Sequence, residues 1–269
     1  MVSDIFMISL SMAAVILLLL ALSPRLNQRY AAKWRCLVWL VLALRLLIPY
    51  RLDLPAAPVQ IPAPPSSTIV FRQGGVPLAI MDENYIEKGN ASTTSADYAP
   101  LLTLPQLLTA LWAAGAALFI LYHGAAYVSF RRKIRSYCRP VDAAVRERSL
   151  NGMKGRGNLQ LFICDQIPGP MLAGFMRPVV LLPPADYSDE ELNVILKHEL
   201  THYRRGDLWF KLLLLTANAI HWFNPLIYVM VRQANRDIEY ACDEAVVKNQ
   251  DLNFRKKYSL TILKSMSPT

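Results

Sequence analysis

Apolar residues in this chain are gathered into blocks, and the blocks are of two kinds. The long kind comes first. From Ile5 to Leu22 only Ser9 and Ser11 interrupt an apolar run, and at a helical rise of about 1.5 Å per residue such a run is long enough to cross a bilayer core. A second run covers Cys36 to Tyr50, with Trp34 and Trp39 suited to an interface and Arg45 read as snorkelling to the outer surface. A third covers Leu101 to Phe130, has Pro105 near its start and is long enough to tilt or protrude. The pattern predicts three transmembrane helices over 5–22, 36–50 and 101–130. It divides the chain into a membrane region, 1–130, and a second domain, 131–269.

Beyond Phe130 the apolar blocks are shorter and their periods change. Residues 131–158 are basic and polar, and Gly152, Gly155 and Gly157 mark a loop. Leu159 to Ile163 alternates as a strand does, a turn-rich stretch follows from Pro168 to Pro178, and Val179 to Leu182 is a short strand stopped by Pro183 and Pro184. Ser188 then opens a helix: its hydroxyl can cap the first turn, and Glu191 three residues on completes a capping box. The helix runs to about Arg205, where Gly206 offers a stop. A further basic helical stretch runs from Phe254 to Ser265.

Charge fixes a direction for the spans. The chain has 269 residues, 54% of them hydrophobic, and a formal charge of +9. The link between the first two spans holds Arg25, Arg29, Lys33 and Arg35 and no acid, and Arg131, Arg132, Lys133 and Arg135 follow the third. The loop 51–100 carries more acids than bases. The positive-inside rule therefore predicts an N-terminus outside, an extracytoplasmic loop 51–100, and a cytoplasmic domain after Phe130. The basic excess is read as a topology signal, and direct nucleic-acid binding is not expected. The loop, rich in Pro, Ala, Ser and Thr, reads as an extended or mobile connector with one short strand at Thr68 to Arg72. Cys36, Cys138, Cys164 and Cys242 form no CxxC pair, and with the last three placed in the cytoplasm they are expected to be buried free thiols.

The chemistry concentrates at His198-Glu199-Leu200-Thr201-His202. Histidines at i and i+4 project from one helical face, so that two ring nitrogens can reach one Zn²⁺ at about 2.0 to 2.1 Å. Glu199 is the next residue round and is placed to take a proton from water rather than to bind metal. Chance produces HExxH in about one chain in a hundred of this length, and here the motif lies mid-helix after a capped start.

A catalytic zinc needs a third protein ligand and an open position. Arg232 to Lys248 offers Asp237, Glu239, Asp243 and Glu244, of which Glu239 and Asp243 share a face. A glutamate there could complete a His, His, Glu site, with a second carboxylate orienting a ligating histidine. This requires the nearly apolar segment Asp207 to Val231 not to cross the bilayer. It contains Lys211, Asn218, His221, Asn224 and Pro225, and is read as two helices broken near Asn224-Pro225, forming a hairpin buried in the domain or dipping into the membrane.

The stretches His198-Glu-Leu-Thr-His202, Arg205-Gly206-Asp207, His221-Trp-Phe-Asn-Pro225 and Glu239-Tyr-Ala-Cys-Asp-Glu244, with Gly169-Pro-Met-Leu-Ala-Gly174 and Pro178-Val-Val-Leu-Leu-Pro183, closely resemble the BlaR/MecR family of bacterial membrane zinc peptidases, which act as antibiotic-sensing signal transducers. The resemblance implies that His198, His202 and Glu239 hold zinc, that Glu199 is the general base and that Asp243 supports a ligand. It also implies that strand 179–182 is an edge holding peptide substrate by β-addition. Receptors of the family continue into a further span and a β-lactam-reactive sensor domain. This chain ends at Thr269 without an SxxK motif, so direct β-lactam sensing is not expected of it.

The expected fold is thus a mixed α/β, gluzincin-like domain beneath three N-terminal transmembrane helices in a bacterial cell membrane. The expected reaction is zinc-dependent endopeptidase cleavage, with Glu199 activating water and returning its proton to the leaving amine. His221, Tyr240 and Arg236 are the candidates for oxyanion or substrate contact. Expected partners are the bilayer, a cytoplasmic-side protein substrate (a DNA-binding repressor or the peptidase itself) and, as a homodimer, a second copy. Two rivals stand beside this reading. One is a Ste24-like CAAX protease, which has more spans; the other is a non-catalytic signalling scaffold whose zinc site is structural.

Overall fold

A computed structural model describes residues 2–48, 68–71, 77–81, 103–142, 159–174, 178–185 and 187–266. Apart from two short strands, the connector 51–100 lies outside the described residues, as does the glycine-marked loop at 152–157.

Among the described residues, two helices are long and apolar enough to cross a membrane: α1 (Val2–Arg29), whose apolar part spans Val2–Leu26, and α3 (Leu104–Tyr137). Nothing covers α3. None of its residues is buried, and Leu111, Leu118, Ile120 and Leu121 are each at least 60% exposed. An apolar surface of this extent is stable against lipid and costly against water. The expected second span is α2 (Ala32–Leu47), only 16 residues long and so about 24 Å, short of the roughly 30 Å of a bilayer core. Arg45, in the last turn, donates to Ile48 O at the helix's own end.

β1 (Thr68–Phe71) pairs antiparallel with β2 (Pro77–Met81). The remaining strands, β3 (Cys138–Pro140), β4 (Gln160–Cys164), β5 (Met171–Ala173) and β6 (Val179–Leu182), form one sheet in the order β3-β4-β6-β5. β6 is parallel to β4 and antiparallel to β5. This corrects the expectation for 179–182: β6 is paired on both sides and cannot take a peptide, and the edges belong to β3 and β5.

Cys138 and Cys164 correct another expectation. The antiparallel register of β3 and β4 sets them opposite each other, Cα atoms 4.3 Å apart, and they are joined as a disulfide. Cys36 and Cys242 are buried free thiols, as expected.

Helix α4 (Asp189–Arg205) has both halves of the capping box: Glu191 N–H donates to Ser188 Oγ at 3.2 Å and Ser188 N–H to Glu191 Oε2 at 2.9 Å. It ends at Gly206, whose φ of +69° is left-handed and favours glycine. Its inner face, Ile195, Leu196 and Leu200, packs on Leu161, Val180 and Leu182 of the sheet.

Gly206 also starts α5 (Asp207–Ile220), and Asn224 caps α6 (Pro225–Val247) by accepting from Leu226 N–H. The two are antiparallel arms of a hairpin broken at Asn224-Pro225. Their inner residues (Leu214, Ala217, Ile227, Met230, Ala234, Ile238) form one core with Ile8 and Ile16 of α1 and Trp39, Leu42 and Leu46 of α2. At the tip, Asn224 Nδ2 donates to Ser9 Oγ at 2.8 Å, His221 Nε2 lies 3.1 Å from Leu46 O, and Trp112 Nε1 donates to Ile220 O at 2.8 Å. The Trp222 ring lies on Gly115 and leaves no room for a Cβ there. At the other end, Asp237 accepts from Arg35 and Trp39, and Glu244 accepts from Ala32 N–H at the start of α2. Finally, α7 (Leu252–Met266) sends Tyr258 into a small core with Val194, Cys242 and Val246.

Candidate metal centre

The fold of the hairpin decides the site. Asp207 leaves α4 one residue after its glycine cap, α5 runs away from the motif, and α6 brings Glu239 back to it. His202 Nε2 then lies 3.1 Å from His198 Nε2 and 3.1 Å from Glu239 Oε2, and His198 Nε2 lies 4.0 Å from the same oxygen. Tetrahedral donors about 2.0 to 2.1 Å from a zinc ion lie about 3.3 Å from one another, so these three atoms have the spread of one coordination shell.

Each histidine is held from behind. His202 Nδ1–H donates to Asp207 Oδ2 at 2.7 Å, and Asp207 is buried and braced by Arg205, which also donates to Ala241 O. His198 Nδ1–H donates to Tyr258 Oη at 2.7 Å, and that hydroxyl donates onward to Asp243 Oδ1 at 2.5 Å. In the neutral imidazoles these bonds leave both Nε2 lone pairs turned toward Glu239, the arrangement by which outer hydrogen bonds orient metal ligands. Asp243 thus supports His198 chiefly through Tyr258, its own oxygen lying 3.4 Å from the ring.

The electrostatics favour a cation. Burial disfavours charge on both imidazoles, but Asp243 and Cys242 around His198, and Asp207, Cys242 and Glu239 around His202, outweigh it. They hold His198 up at about 10 and His202 up at about 12. Burial pushes the Glu239 carboxyl up, while His202 and Lys211 draw it down to about 2. Glu199 is buried at 6% exposure, and desolvation raises its carboxyl above the usual range against the pull of both histidines. A buried carboxyl held ready to take and give a proton is the property a general base needs.

A second donor set is present. His198, His202 and the buried Cys242 offer ligand atoms all within 4.8 Å of one another. Cys242 Sγ, however, lies 3.8 Å from His198 Nδ1, the nitrogen already engaged by Tyr258.

The centre opens into a cleft of about 220 Å³ lined by Met171 and Leu172 of β5, by Lys211, and by Ile262 and Ser265 of α7. None of the three candidates for oxyanion contact lines this cleft. His221 is 1% exposed at the hairpin tip, the whole length of α5 from His202, and Tyr240 and Arg236 are exposed on α6 outside the cleft lining. The basic group in the cleft is Lys211, with Nζ 3.0 Å from Glu239 Oε1. Its signal in the sequence was a lone charge in an apolar run. Asp207 and Tyr258 carried weaker signals, since only folding shows what they touch.

Comparison with known proteins identifies the family. The family model described as BlaR1 peptidase M56 matches residues 3–268. The chain is 35% identical over 103 residues to Regulatory protein BlaR1 of Bacillus licheniformis, covering 38% of this chain and 17% of that protein. It is 32% identical over 103 residues to the Methicillin resistance mecR1 protein of Staphylococcus aureus, covering 37% of this chain and 18% of that protein. The matched stretch spans less than a fifth of either relative's length. On the match over nearly its whole length, the chain belongs to the BlaR1 peptidase M56 family.

Proposed function

We propose that this protein is a membrane-anchored zinc endopeptidase in which His198, His202 and Glu239 hold the metal and Glu199 is the general base. One observation carries the proposal: His202 Nε2 stands 3.1 Å from both His198 Nε2 and Glu239 Oε2, with both Nδ1 atoms bonded elsewhere. Zinc held by these residues would supply Lewis acidity. Glu199 would take a proton from water and return it to the leaving amine. Lys211, at the cleft, is the cation best situated to neutralise charge that develops there. An extended peptide lies along the edge of β5, whose Met171 and Leu172 line the cleft with Glu199, so that the scissile bond is presented to the base.

Three helices support one orientation. The hairpin tip meets Ser9 near the start of α1, Leu46 at the end of α2 and Trp112 near the start of α3. With basic residues at the opposite end of each helix, the tip points outward, and the metal centre lies at the cytoplasmic face. At 14 residues, about 21 Å, α5 dips into the bilayer without crossing it. α1, α2 and α3 together form the membrane anchor of a gluzincin-type domain. The substrate is a cytoplasmic-side protein, a DNA-binding repressor or the peptidase itself. The setting is a regulatory antibiotic response of the kind named for the BlaR1 and mecR1 relatives.

The test is metal content of detergent-purified protein. Wild type, Glu199→Ala and Cys242→Ser each hold about one zinc, and Glu239→Ala holds much less. A second reading, a closed structural site in a signalling scaffold, rests on Cys242. It predicts the reverse, with zinc lost from Cys242→Ser and kept by Glu239→Ala.

A further inference from the structure

On the face of α6 opposite Glu239 the molecule has a second concavity. It is a groove of about 320 Å³ between the second half of α1 and the first half of α2. Leu19, Ser23 and Leu26 form one wall, Leu37 and Val38 the other, and Asp237 lies at the floor, where Arg35 and Trp39 satisfy its carboxylate. The walls are therefore apolar and the one buried acid is already neutralised. The groove's mouth is different. Tyr30 and Trp34 stand there, 54% and 62% exposed, and Arg25, Arg29 and Lys33 are exposed on the same turn of chain, which contains no acid. Aromatic side chains and cations above an apolar slot are what a phospholipid meets at a membrane surface.

We propose that this groove binds one anionic phospholipid of the cytoplasmic leaflet, with an acyl chain between α1 and α2 and the phosphate at Arg25, Arg29 and Lys33. Charge complementarity selects the ligand: a zwitterionic lipid fills the slot equally well but brings its own cation to a mouth that already has three. The site rests on the membrane orientation given above and is independent of whether the metal centre cleaves peptides. Its position gives it a consequence. The lipid contacts the Arg35–Asp237–Trp39 network, which fixes α6 two residues before Glu239, so that a lipid signal and the metal centre share one helix.

The test is quenching of Trp34 fluorescence in the full chain reconstituted into phosphatidylcholine vesicles. Small fractions of either phosphatidylglycerol or phosphatidylcholine with brominated acyl chains are added. The component due to Trp34 is taken as the difference from Trp34→Phe, and zinc content is followed in parallel to confirm folding. Each basic side chain near the phosphate contributes roughly a five-fold preference for the anion. Brominated phosphatidylglycerol is therefore expected to quench Trp34 at a far lower fraction than brominated phosphatidylcholine, and Arg25→Gln/Arg29→Gln/Lys33→Gln removes that preference. Ser23→Phe fills the groove and leaves the cations in place, and it is expected to abolish the preference as well. Equal quenching by the two lipids in wild type overturns the proposal, as does a Ser23→Phe variant that keeps the wild-type preference, since the cations then act only as a diffuse surface charge. Absence of quenching by either lipid refutes the membrane orientation itself. Absence of zinc with lipid preference intact refutes the metal-centre reading alone.

Discussion

At the scale of single residues, the site depends on groups that touch no substrate. Asp207 fixes the ring of His202 and is itself fixed by Arg205. Asp207→Ala is expected to weaken zinc binding by about 10- to 100-fold, measured by competition with a chelator, while Tyr240→Ala, exposed and outside the cleft lining, leaves it unchanged. The carboxylates that hold His198 at about 10 and His202 at about 12 also make protons compete with the metal. Zinc binds neutral imidazole, so its uptake releases protons, and affinity is expected to rise as pH climbs through the neutral range; a pH-independent affinity in a chelator titration would contradict the assignment of these two ligands. His198, Glu199 and His202 were legible in the sequence because a helical i, i+4 spacing is local. Tyr258 was not, because a tyrosine 60 residues further on has no spacing rule that ties it to the motif.

At the scale of elements, strands β4 and β6 and helices α4 to α7 were readable from alternation, capping and the break at Asn224-Pro225. β3 and β5, three residues each, were missed, being too short to show a period; β5 in addition lay in a stretch dominated by turn residues. Its pairing with β6 removes the edge that the resemblance implied at 179–182. The antiparallel register of β3 against β4 places Cys138 opposite Cys164 and joins them, whereas a reducing cytoplasm favours free thiols. Alkylation under denaturing conditions without reductant decides the compartment. A domain exposed to an oxidising side gives two reactive cysteines, Cys36 and Cys242. If all four react in freshly isolated membranes and only two after oxidation, the sheet faces the cytoplasm and the bond forms once it is outside the cell.

At the scale of the whole molecule, one apolar core runs across the boundary drawn at residue 130. α1 and α2, from the membrane region, share one apolar core with the hairpin that carries Glu239. The Arg35–Asp237 pair, 11% and 1% exposed, joins the two regions at the level of the metal centre. Removing one partner of such a pair leaves a buried charge uncompensated. Arg35→Leu is expected to cost about 3 to 5 kcal/mol, seen as earlier thermal unfolding in detergent, and Arg35→Leu/Asp237→Leu to recover most of that loss. A single substitution without effect would mean that α2 is not anchored on α6 through this pair.

By itself the sequence determined what depends on near neighbours: the apolar runs of α1 and α3, the capping box at Ser188, the HExxH face and the hairpin break. These follow from helical periodicity and from the backbone preferences of glycine, proline and capping side chains, which act within a few residues. Only the tertiary structure decided that α2 packs on α6, that β5 is an edge beside the cleft and that Lys211 stands in the cleft while His221 lies at the far tip. It also decided that Asp207 and Tyr258 orient the two histidines. Each of these is a contact between residues far apart in the chain, chosen by how the apolar faces of several elements close on one another.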